Sequence, residues 1–267
     1  MSEREEAIGV ADPDYIGFIQ NVKQSTGIDL AQYKEAQMKR RLTTLRMKNG
    51  YQTFREFFAA MMKDKALFYE FLDRMTINVS EFWRNPNRWE VLRDVILPEL
   101  QHGNRRLKLW SAACSTGEEP YTLAMIMADK DSLAQTGILA TDIDDGALSK
   151  AKQALYLERS LKDVPKDVAA RYFKPEGPVF KVSDTLKKNI DFRKQNLLLD
   201  KFDTGFDLII CRNVMIYFTE EAKNLLYHKF SASLRPGGYL FVGSTEQIFT
   251  PAQYGLESTE TFFYRKK

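Results

Sequence analysis

The sequence predicts an all-helical domain over residues 1–76, followed by an α/β domain with a mainly parallel sheet over residues 94–267. At 267 residues the chain is longer than a typical single domain of about 100–150 residues. Apolar residues recur at helical spacing as far as Met75, whereas from Arg105 short apolar runs alternate with helical patterns. This alternation is typical of a parallel sheet with helices on both faces.

Four apolar stripes predict the helices of the first domain. The first stripe begins at Asp14 and is interrupted at Gly27, and the second ends at Asn49-Gly50, a pair typical of helix C-termini. Thr53 suits the N-cap of the third helix. A fourth stripe covers residues 67–75. Because no strand pattern occurs in this segment, we expect the domain to be helical throughout.

The second domain begins after a predicted linker at residues 77–93, in which Asn85-Pro86-Asn87 forms a turn before another helix. Apolar runs that predict strands begin at Leu107, Ile138, Ile190, Phe206 and Tyr239. Residues 155–188 interrupt this alternation with several prolines and a short β-like run at residues 179–182. We expect this interval to form a small subdomain inserted between two strands of the sheet.

Composition and charge exclude several classes of protein. The net charge of +3 is too small to require a nucleic-acid partner. Cys114 and Cys211 are far apart, and His102 and His228 stand alone, so neither a zinc site nor a disulfide framework is predicted. The acidic N-terminus does not resemble a signal peptide, and no apolar run approaches the ~20 residues that span a bilayer. We therefore expect a cytoplasmic protein without metal or membrane insertion.

Residues 107–120 read as a strand, a turn of small residues and the start of a helix. The small residues that stand where a dinucleotide-binding fold carries its glycines are Ala113, Ser115 and Gly117. Glu118 and Glu119 at the helix start would repel a pyrophosphate but favour a cation, such as a sulfonium beside an α-ammonium group. The alternative interpretation is that the two acids only complement the helix dipole.

Two further strands end in polar residues that suit a ligand site. Asp142 lies about 20–30 residues after the first turn, where such folds place an acid that hydrogen-bonds ribose hydroxyls. Asp144 or Asp145 better suits the N-cap of the next helix. The apolar run at residues 206–210 predicts a buried strand whose carboxyl end reaches the same crevice, with Cys211 as a buried apolar residue rather than a nucleophile.

The last 35 or so residues of the chain contain a recognisable strand and hairpin pattern. At residues 234–243 a helix closes, Pro-Gly-Gly turns the chain and a buried strand follows, an arrangement that recurs in S-adenosylmethionine methyltransferases. Residues 256–265 predict an antiparallel edge hairpin, which is common in that fold.

Over nearly its whole length the chain resembles the bacterial chemotaxis receptor glutamate methyltransferases, the CheR family. The segments that carry the resemblance are Asn78–Arg84 (NVSEFWR), Trp110–Tyr121 (WSAACSTGEEPY), Thr141–Asp144 (TDID) and Cys211–Phe218 (CRNVMIYF). The resemblance implies a Rossmann-like class I S-adenosylmethionine methyltransferase domain with a small β-subdomain insert, preceded by an all-α domain that docks on the receptor. It also implies methyl transfer from S-adenosyl-L-methionine to receptor glutamates, giving glutamyl methyl esters and S-adenosyl-L-homocysteine.

The resemblance also implies which residues form the site. The cofactor-binding residues that it assigns are Asn78, Ser80, Arg84, Glu118 or Glu119, Asp142, Asn196, Leu197, Arg212 and Asn213. Which of the two adjacent glutamates contacts the ligand stays open. A substrate carboxylate is already ionised at pH 7, so it needs alignment and a dry site rather than a strong base. Arg84 and Tyr217 are expected to hold its second oxygen; the alternatives are a structural ion pair and a half-buried core aromatic.

The predicted helix at residues 33–48 is strongly basic. The residues assigned to receptor docking are Arg40, Arg41, Arg46 and Lys48, although a solvated helix face is the other interpretation. The expected partners are the cytoplasmic helical domains of chemotaxis receptors, with no nucleic acid, and the protein is expected to be a monomer. Two other classes compete: a methyltransferase for RNA or small molecules, and a non-enzymatic module that binds S-adenosylmethionine. Intact Arg84 and Tyr217 favour an enzyme.

Overall fold

The computed structural model describes residues 12–76, 78–102 and 106–267. Their contacts separate two compact units, one ending at Met75 and the other running from Thr76 to Lys267. In the described part of the chain no helix is both long enough and apolar enough to span a bilayer.

The described part of the first unit is helical, as predicted. Its α-helices are α1 (Pro13–Thr26), α2 (Glu35–Lys48), α3 (Phe54–Met61) and α4 (Lys65–Thr76), with a 3₁₀ turn at Leu30–Gln32. Gly27 ends α1 in the left-handed conformation, and Thr53 caps α3 in a reciprocal capping box with Glu56. Phe18 packs within 5.0 Å of Phe54, ring centroid to centroid, at the centre of a buried aromatic core. The apolar stripes of the helices therefore face one another.

The second unit is built on a seven-stranded sheet. Its strands are β1 (Leu107–Ala112), β2 (Thr136–Asp142), β6 (Ile190–Lys194), β7 (Phe206–Cys211), β8 (Leu234–Val242), β9 (Leu256–Glu260) and β10 (Phe263–Lys266). The order is β6-β2-β1-β7-β8-β10-β9; the first five are parallel, and β10 is antiparallel to both its neighbours. The predicted α/β class and the closing hairpin are confirmed.

Helices cover this sheet and precede it. They are α5 (Pro86–Val91), a π-helical turn (Leu92–Ile96), α6 (Leu97–Gln101), α7 (Glu118–Asp129), α8 (Asp145–Gln153), α9 (Lys166–Tyr172), α10 (Asp184–Lys187) and α11 (Glu220–Ser233). The π turn is closed by the Leu97 N–H, which bonds to the carbonyl five residues back, Leu92 O. The next residue, Pro98, has no N–H and so cannot form the regular helical bond to Asp94 O.

The expected insert is present between α8 and β6. It carries a separate antiparallel sheet with the order β3-β5-β4, made of β3 (Leu155–Leu157), β4 (Phe173–Glu176) and β5 (Val179–Val182). One local prediction is wrong: the Pro-Gly-Gly segment is not a turn before a strand. It lies inside β8, where the pairing with β7 shifts from Leu234 to Tyr239. The chain bulges there without leaving the sheet.

Candidate active site

The predicted site residues follow adjacent strands of the sheet. β1 lies between β2 and β7, so the segments after these three strands share one edge. The next parallel strand, β6, leads to Asn196 and Leu197, and Gln195 N donates to Asp142 O at 2.9 Å. In open α/β sheets this carboxyl edge is where ligands bind.

The turn after β1 has an unusual backbone. Ala113, Ser115 and Gly117 all have positive φ angles, of 58°, 50° and 96°. Left-handed φ costs a non-glycine residue about 1–2 kcal/mol, so other contacts must hold this turn. Cys114 N donates to Thr141 O at 2.9 Å. A Cβ on Gly117 would lie 2.8 Å from the Ala151 Cβ, so packing against α8 as well as its φ requires glycine there.

Asp142 ties this turn to the end of β2. Its carboxylate accepts the Ser115 N–H at 2.8 Å through Oδ2 and the Asp144 N–H at 3.0 Å through Oδ1. The side chain is buried, and burial raises its pKa from 3.8 to about 6 against the opposing effect of the backbone N–H groups of Asp144, Ser115 and Ile143. Two carboxylate oxygens offer about four lone-pair sites, which leaves capacity for a ligand hydroxyl.

Asp144 is the N-cap of α8, which was one of the two predicted positions. Its Oδ1 accepts N–H groups from Gly146 and Ala147 at 2.7 and 3.2 Å. Its Oδ2 accepts from Asn78 Nδ2 at 2.7 Å, and Asn78 Oδ1 accepts from Ser115 Oγ at 3.2 Å. Asn78 therefore bridges the turns after β1 and β2.

The two adjacent glutamates face different partners. Glu118 is 4% exposed, accepts from Thr116 Oγ1 at 2.7 Å and also bonds to Ser80. Glu119 accepts from Ser111 Oγ at 2.7 Å, and its Oε2 lies 3.8 Å from Arg212 Nη1. Burial raises the pKa of both carboxyl groups.

Arg212 is a buried cation that joins the end of β7 to the segment before α5. Its Nη2 donates to Arg84 O at 2.9 Å and to Asn85 Oδ1 at 2.8 Å. The guanidinium lies 4.7 Å from the Phe241 ring centroid. Its Nε is buried and has no hydrogen-bond partner among the described residues. Burial lowers the pKa of this guanidinium.

Arg84 is half-buried and differs from Arg212. Its Nη1 donates to Val79 O at 3.2 Å, and no carboxylate in the described part of the chain pairs with it. The described residues therefore do not show Arg84 in the structural ion pair that was its alternative role. Tyr217 is half-buried in the 3₁₀ turn Met215–Tyr217 that follows β7.

Sequence analysis missed two residues that hold the loops of the site. Glu246 accepts four backbone N–H groups, three of them from residues 213–216. Lys229 Nζ donates to Leu197 O at 2.6 Å and to Asp200 O at 2.8 Å, which holds the loop after β6. No local pattern marks either residue; the nearest signal for Glu246 is an isolated acid just after a buried strand.

The residues assigned to docking all lie in α2. Arg46 packs 4.7 Å from the Phe54 ring centroid and lies 3.6 Å from Asp14, while Lys48 pairs with Glu70 at 2.8 Å. Arg40 is exposed and Arg41 is half-exposed. Of these four residues, Arg40 and Lys48 are the exposed ones, and Arg46 packs most closely within the unit.

The charge balance of the crevice fits a cationic ligand. Glu118 and Asp142 are buried and Glu119 is largely buried; burial raises the pKa of all three carboxyl groups, and Arg212 is the buried cation beside them. A sulfonium or ammonium group near them would favour their ionised forms. In the described part of the chain no cluster of His, Cys, Asp or Glu is arranged to hold a metal ion.

The fold and this acidic crevice define a class I methyltransferase-type domain. The chain belongs to the CheR methyltransferase family: residues 78–263 match its "CheR methyltransferase, SAM binding domain" and residues 13–76 its "CheR methyltransferase, all-alpha domain". It is 46% identical to a "Chemotaxis protein methyltransferase" of Listeria monocytogenes over 96% of this chain and 98% of the relative. A relative of that name in Borreliella burgdorferi is 33% identical, with 90% of each covered. "Chemotaxis protein methyltransferase 1" of Pseudomonas aeruginosa is 33% identical, over 97% of this chain and 100% of the relative.

Proposed function

We propose that this chain transfers the methyl group of S-adenosyl-L-methionine to glutamate side chains of chemotaxis receptors, in the cytoplasm and as a monomer. The products are glutamyl methyl esters and S-adenosyl-L-homocysteine. One observation carries the proposal: three acids whose pKa values burial raises, Glu118, Glu119 and Asp142, lie at the sheet edge within the segment that matches the family's S-adenosylmethionine-binding domain. The names of the relatives support chemotaxis receptors as the substrates.

The proposed cofactor contacts follow the carboxyl edge of the sheet. Asp142 would accept ribose hydroxyls through its remaining lone pairs, and Asn196 and Leu197 would border the nucleoside. Glu118 or Glu119 would face the cationic end of the ligand. The remaining residues that we propose to line the site are Asn78, Ser80, Arg84, Arg212 and Asn213.

The proposed chemistry requires no proton transfer. A receptor carboxylate oxygen forms a bond to the methyl carbon while the methyl–sulfur bond breaks, and the electron pair stays on sulfur. Arg84 and Tyr217 would hold the second carboxylate oxygen and leave the attacking oxygen free. Arg84 forms no direct ion pair with a described carboxylate, although its charge favours the ionised form of Glu119, and a guanidinium without a direct partner suits a substrate-holding role.

The receptor would reach the enzyme through α2. We propose that Arg40, Arg41, Arg46 and Lys48 contact acidic faces of the receptor helices; Arg40 and Lys48 are exposed, and Arg41 and Arg46 are partly exposed. A helical substrate rich in glutamate complements this charge, whereas nucleic acid is not expected as a partner.

The test is mass spectrometry of purified receptor cytoplasmic domains after incubation with the protein and S-adenosyl-L-methionine. We expect glutamyl methyl esters, each adding one methyl group and lost on mild base treatment. Calorimetry with S-adenosyl-L-homocysteine provides an independent measure of cofactor binding. Binding without esters would indicate a non-enzymatic module. In a parallel incubation with tritiated-methyl cofactor and RNA, label on RNA but not on receptor would indicate a different substrate; either result would overturn the proposal.

A further inference from the structure

Glu246 is a buried carboxylate just after β8 that accepts four backbone N–H groups. Its Oε2 accepts from Asn213 at 2.6 Å and from Gly243 at 2.8 Å, and its Oε1 accepts from Met215 at 2.7 Å and from Ile216 at 3.3 Å. Only 4% of the residue is exposed. A group of convergent backbone N–H donors is an anion-binding arrangement, and here the anion is part of the protein.

These bonds join two neighbouring strand ends. β7 and β8 are parallel partners, with Cys211 opposite Val242, so the turn after β7 and the loop after β8 emerge side by side. Asn213 has a φ of 61°, a conformation that a non-glycine residue needs support to keep. The bond from its N–H to Glu246 provides that support, and the two bonds that follow hold the start of the turn leading to Tyr217.

Gly243 makes room for this carboxylate. A Cβ at position 243 would overlap Glu246 Oε2 and would lie 3.0 Å from Asn213 N. Any other residue would therefore push the carboxylate away from the N–H groups. Gly243 and Glu246 form a matched pair, in which one residue leaves the space that the other fills.

Resting on the function proposed above, we infer that Glu246 is a positioning residue for methyl transfer. Its carboxylate sets the backbone of the Asn213–Tyr217 turn, which carries the hydroxyl that holds the substrate. It also occupies the N–H cluster, so that an incoming substrate carboxylate is directed to Arg84 and Tyr217 rather than to the backbone. The residue does not touch substrate itself; it acts through the turn.

The main test compares Glu246→Gln with the wild type on a receptor cytoplasmic domain. The amide keeps the size of the side chain, but its NH₂ group would face N–H donors, so one pair of bonds is lost. We expect kcat to fall at least tenfold while the KM for receptor changes less than threefold; the Kd for S-adenosyl-L-homocysteine should rise by less than kcat falls, because Asn213 also lines the proposed cofactor site. Glu260→Gln, an exposed glutamate in β9, is the matched control and should retain wild-type kcat.

Two further variants separate positioning from folding. Gly243→Ala should reproduce the kcat loss although Glu246 is intact. Glu246→Ala leaves a cavity the size of acetate, so sodium acetate should restore kcat at least fivefold, whereas acetamide or sodium chloride should not. The stoichiometry of S-adenosyl-L-homocysteine binding gives the folded fraction, and kcat is expressed per folded molecule.

The results distinguish this inference from the proposed function. If the wild type forms no glutamyl methyl esters, the proposed function fails and this inference fails with it. If the wild type is active and Glu246→Gln keeps its kcat per folded molecule, the positioning role is overturned while the function stands. A loss in Glu246→Ala that acetamide restores as well as acetate would also overturn the role, because only the anion accepts all four N–H groups.

Discussion

The raised pKa of Asp142 predicts that cofactor affinity depends on pH. Burial favours the protonated carboxyl and raises this pKa from 3.8 to about 6 in the ligand-free protein. A ligand that carries a positive charge and donates its ribose hydroxyls requires the ionised form. Since protonation must be reversed on binding, affinity is full above the pKa and is lost as pH falls through about 6.

The size of the effect follows from the ionised fraction. With a pKa of about 6, Asp142 is about 90% ionised at pH 7.0 and about 9% ionised at pH 5.0, so the Kd for S-adenosyl-L-methionine should rise about tenfold over this interval. Burial raises the pKa values of Glu118 and Glu119 as well, which acts in the same direction. Tenfold is therefore the share that Asp142 contributes.

Asp142→Asn isolates that share. The amide loses a hydrogen bond to an ionised acceptor, worth about 1.5–3 kcal/mol, so the Kd at pH 7.0 should rise roughly ten- to hundredfold. The change in Kd between pH 7.0 and 5.0 should shrink about tenfold. Calorimetry at the two pH values measures both effects, with Asp145→Asn, on the first turn of α8, as the control that keeps the wild-type pH dependence. A wild-type Kd that is equal at the two pH values would refute the reasoning.

Three further predictions concern other parts of the molecule. Arg84→Ala should lower methyl transfer about a hundredfold but cofactor affinity less than fivefold, measured by a tritiated-methyl assay beside calorimetry; equal losses would exclude a substrate-holding role. Charge reversal of Arg40 and Arg41 should raise the KM for receptor several-fold at low salt and leave the Kd for S-adenosyl-L-homocysteine unchanged. If the variant methylates receptor as well as the wild type at every salt concentration, docking through α2 is contradicted. Lys229→Met removes two charge-assisted hydrogen bonds to the loop after β6 and should raise the Kd for S-adenosyl-L-homocysteine about tenfold. The control is Lys201→Met, at an exposed lysine, which should leave this Kd unchanged. Equal affinities of the two variants would show that Lys229 does not hold the site.

The fold was predictable because its elements repeat simple patterns. The alternation of strands and helices specified a parallel sheet, and the prolines at residues 155–188 marked the insert that interrupts it. Thr53 and Gly27 were identified as helix ends from residue type alone. The β8 bulge escaped prediction because Pro-Gly-Gly is typical of turns, whereas here Leu234 and Tyr239 on either side of it both pair with β7.

The site was less predictable because several of its contacts join residues distant in sequence. The acidic residues after β1 and β2 could be found from their positions at strand ends, but the residues that hydrogen-bond to each of them could not. The N-cap of α8 was open between Asp144 and Asp145 until the structure showed the capping bonds of Asp144. Apart from its bond to Gly243, Glu246 bonds to backbone groups that are 30 to 33 residues away in the sequence. Lys229 bonds to backbone groups that are 29 and 32 residues away. Every residue has such backbone groups, so the sequence does not show which of them a side chain will contact.

Some of the non-glycine residues with left-handed backbone in the second unit lie where the proposed chemistry occurs, while Asp131, Ala154 and Phe262 lie elsewhere. Ala113, Ser115 and Asn213 are non-glycine residues with left-handed backbone, each disfavoured by about 1–2 kcal/mol, and they follow β1 and β7 at one sheet edge. Buried carboxylates hold two of them: Asp142 accepts the Ser115 N–H, and Glu246 accepts the Asn213 N–H. A fold selected only for stability would replace both the strained residues and the buried acids. Their pairing is therefore better explained by a ligand that needs this backbone shape at both turns and the negative charge of Asp142 at one of them.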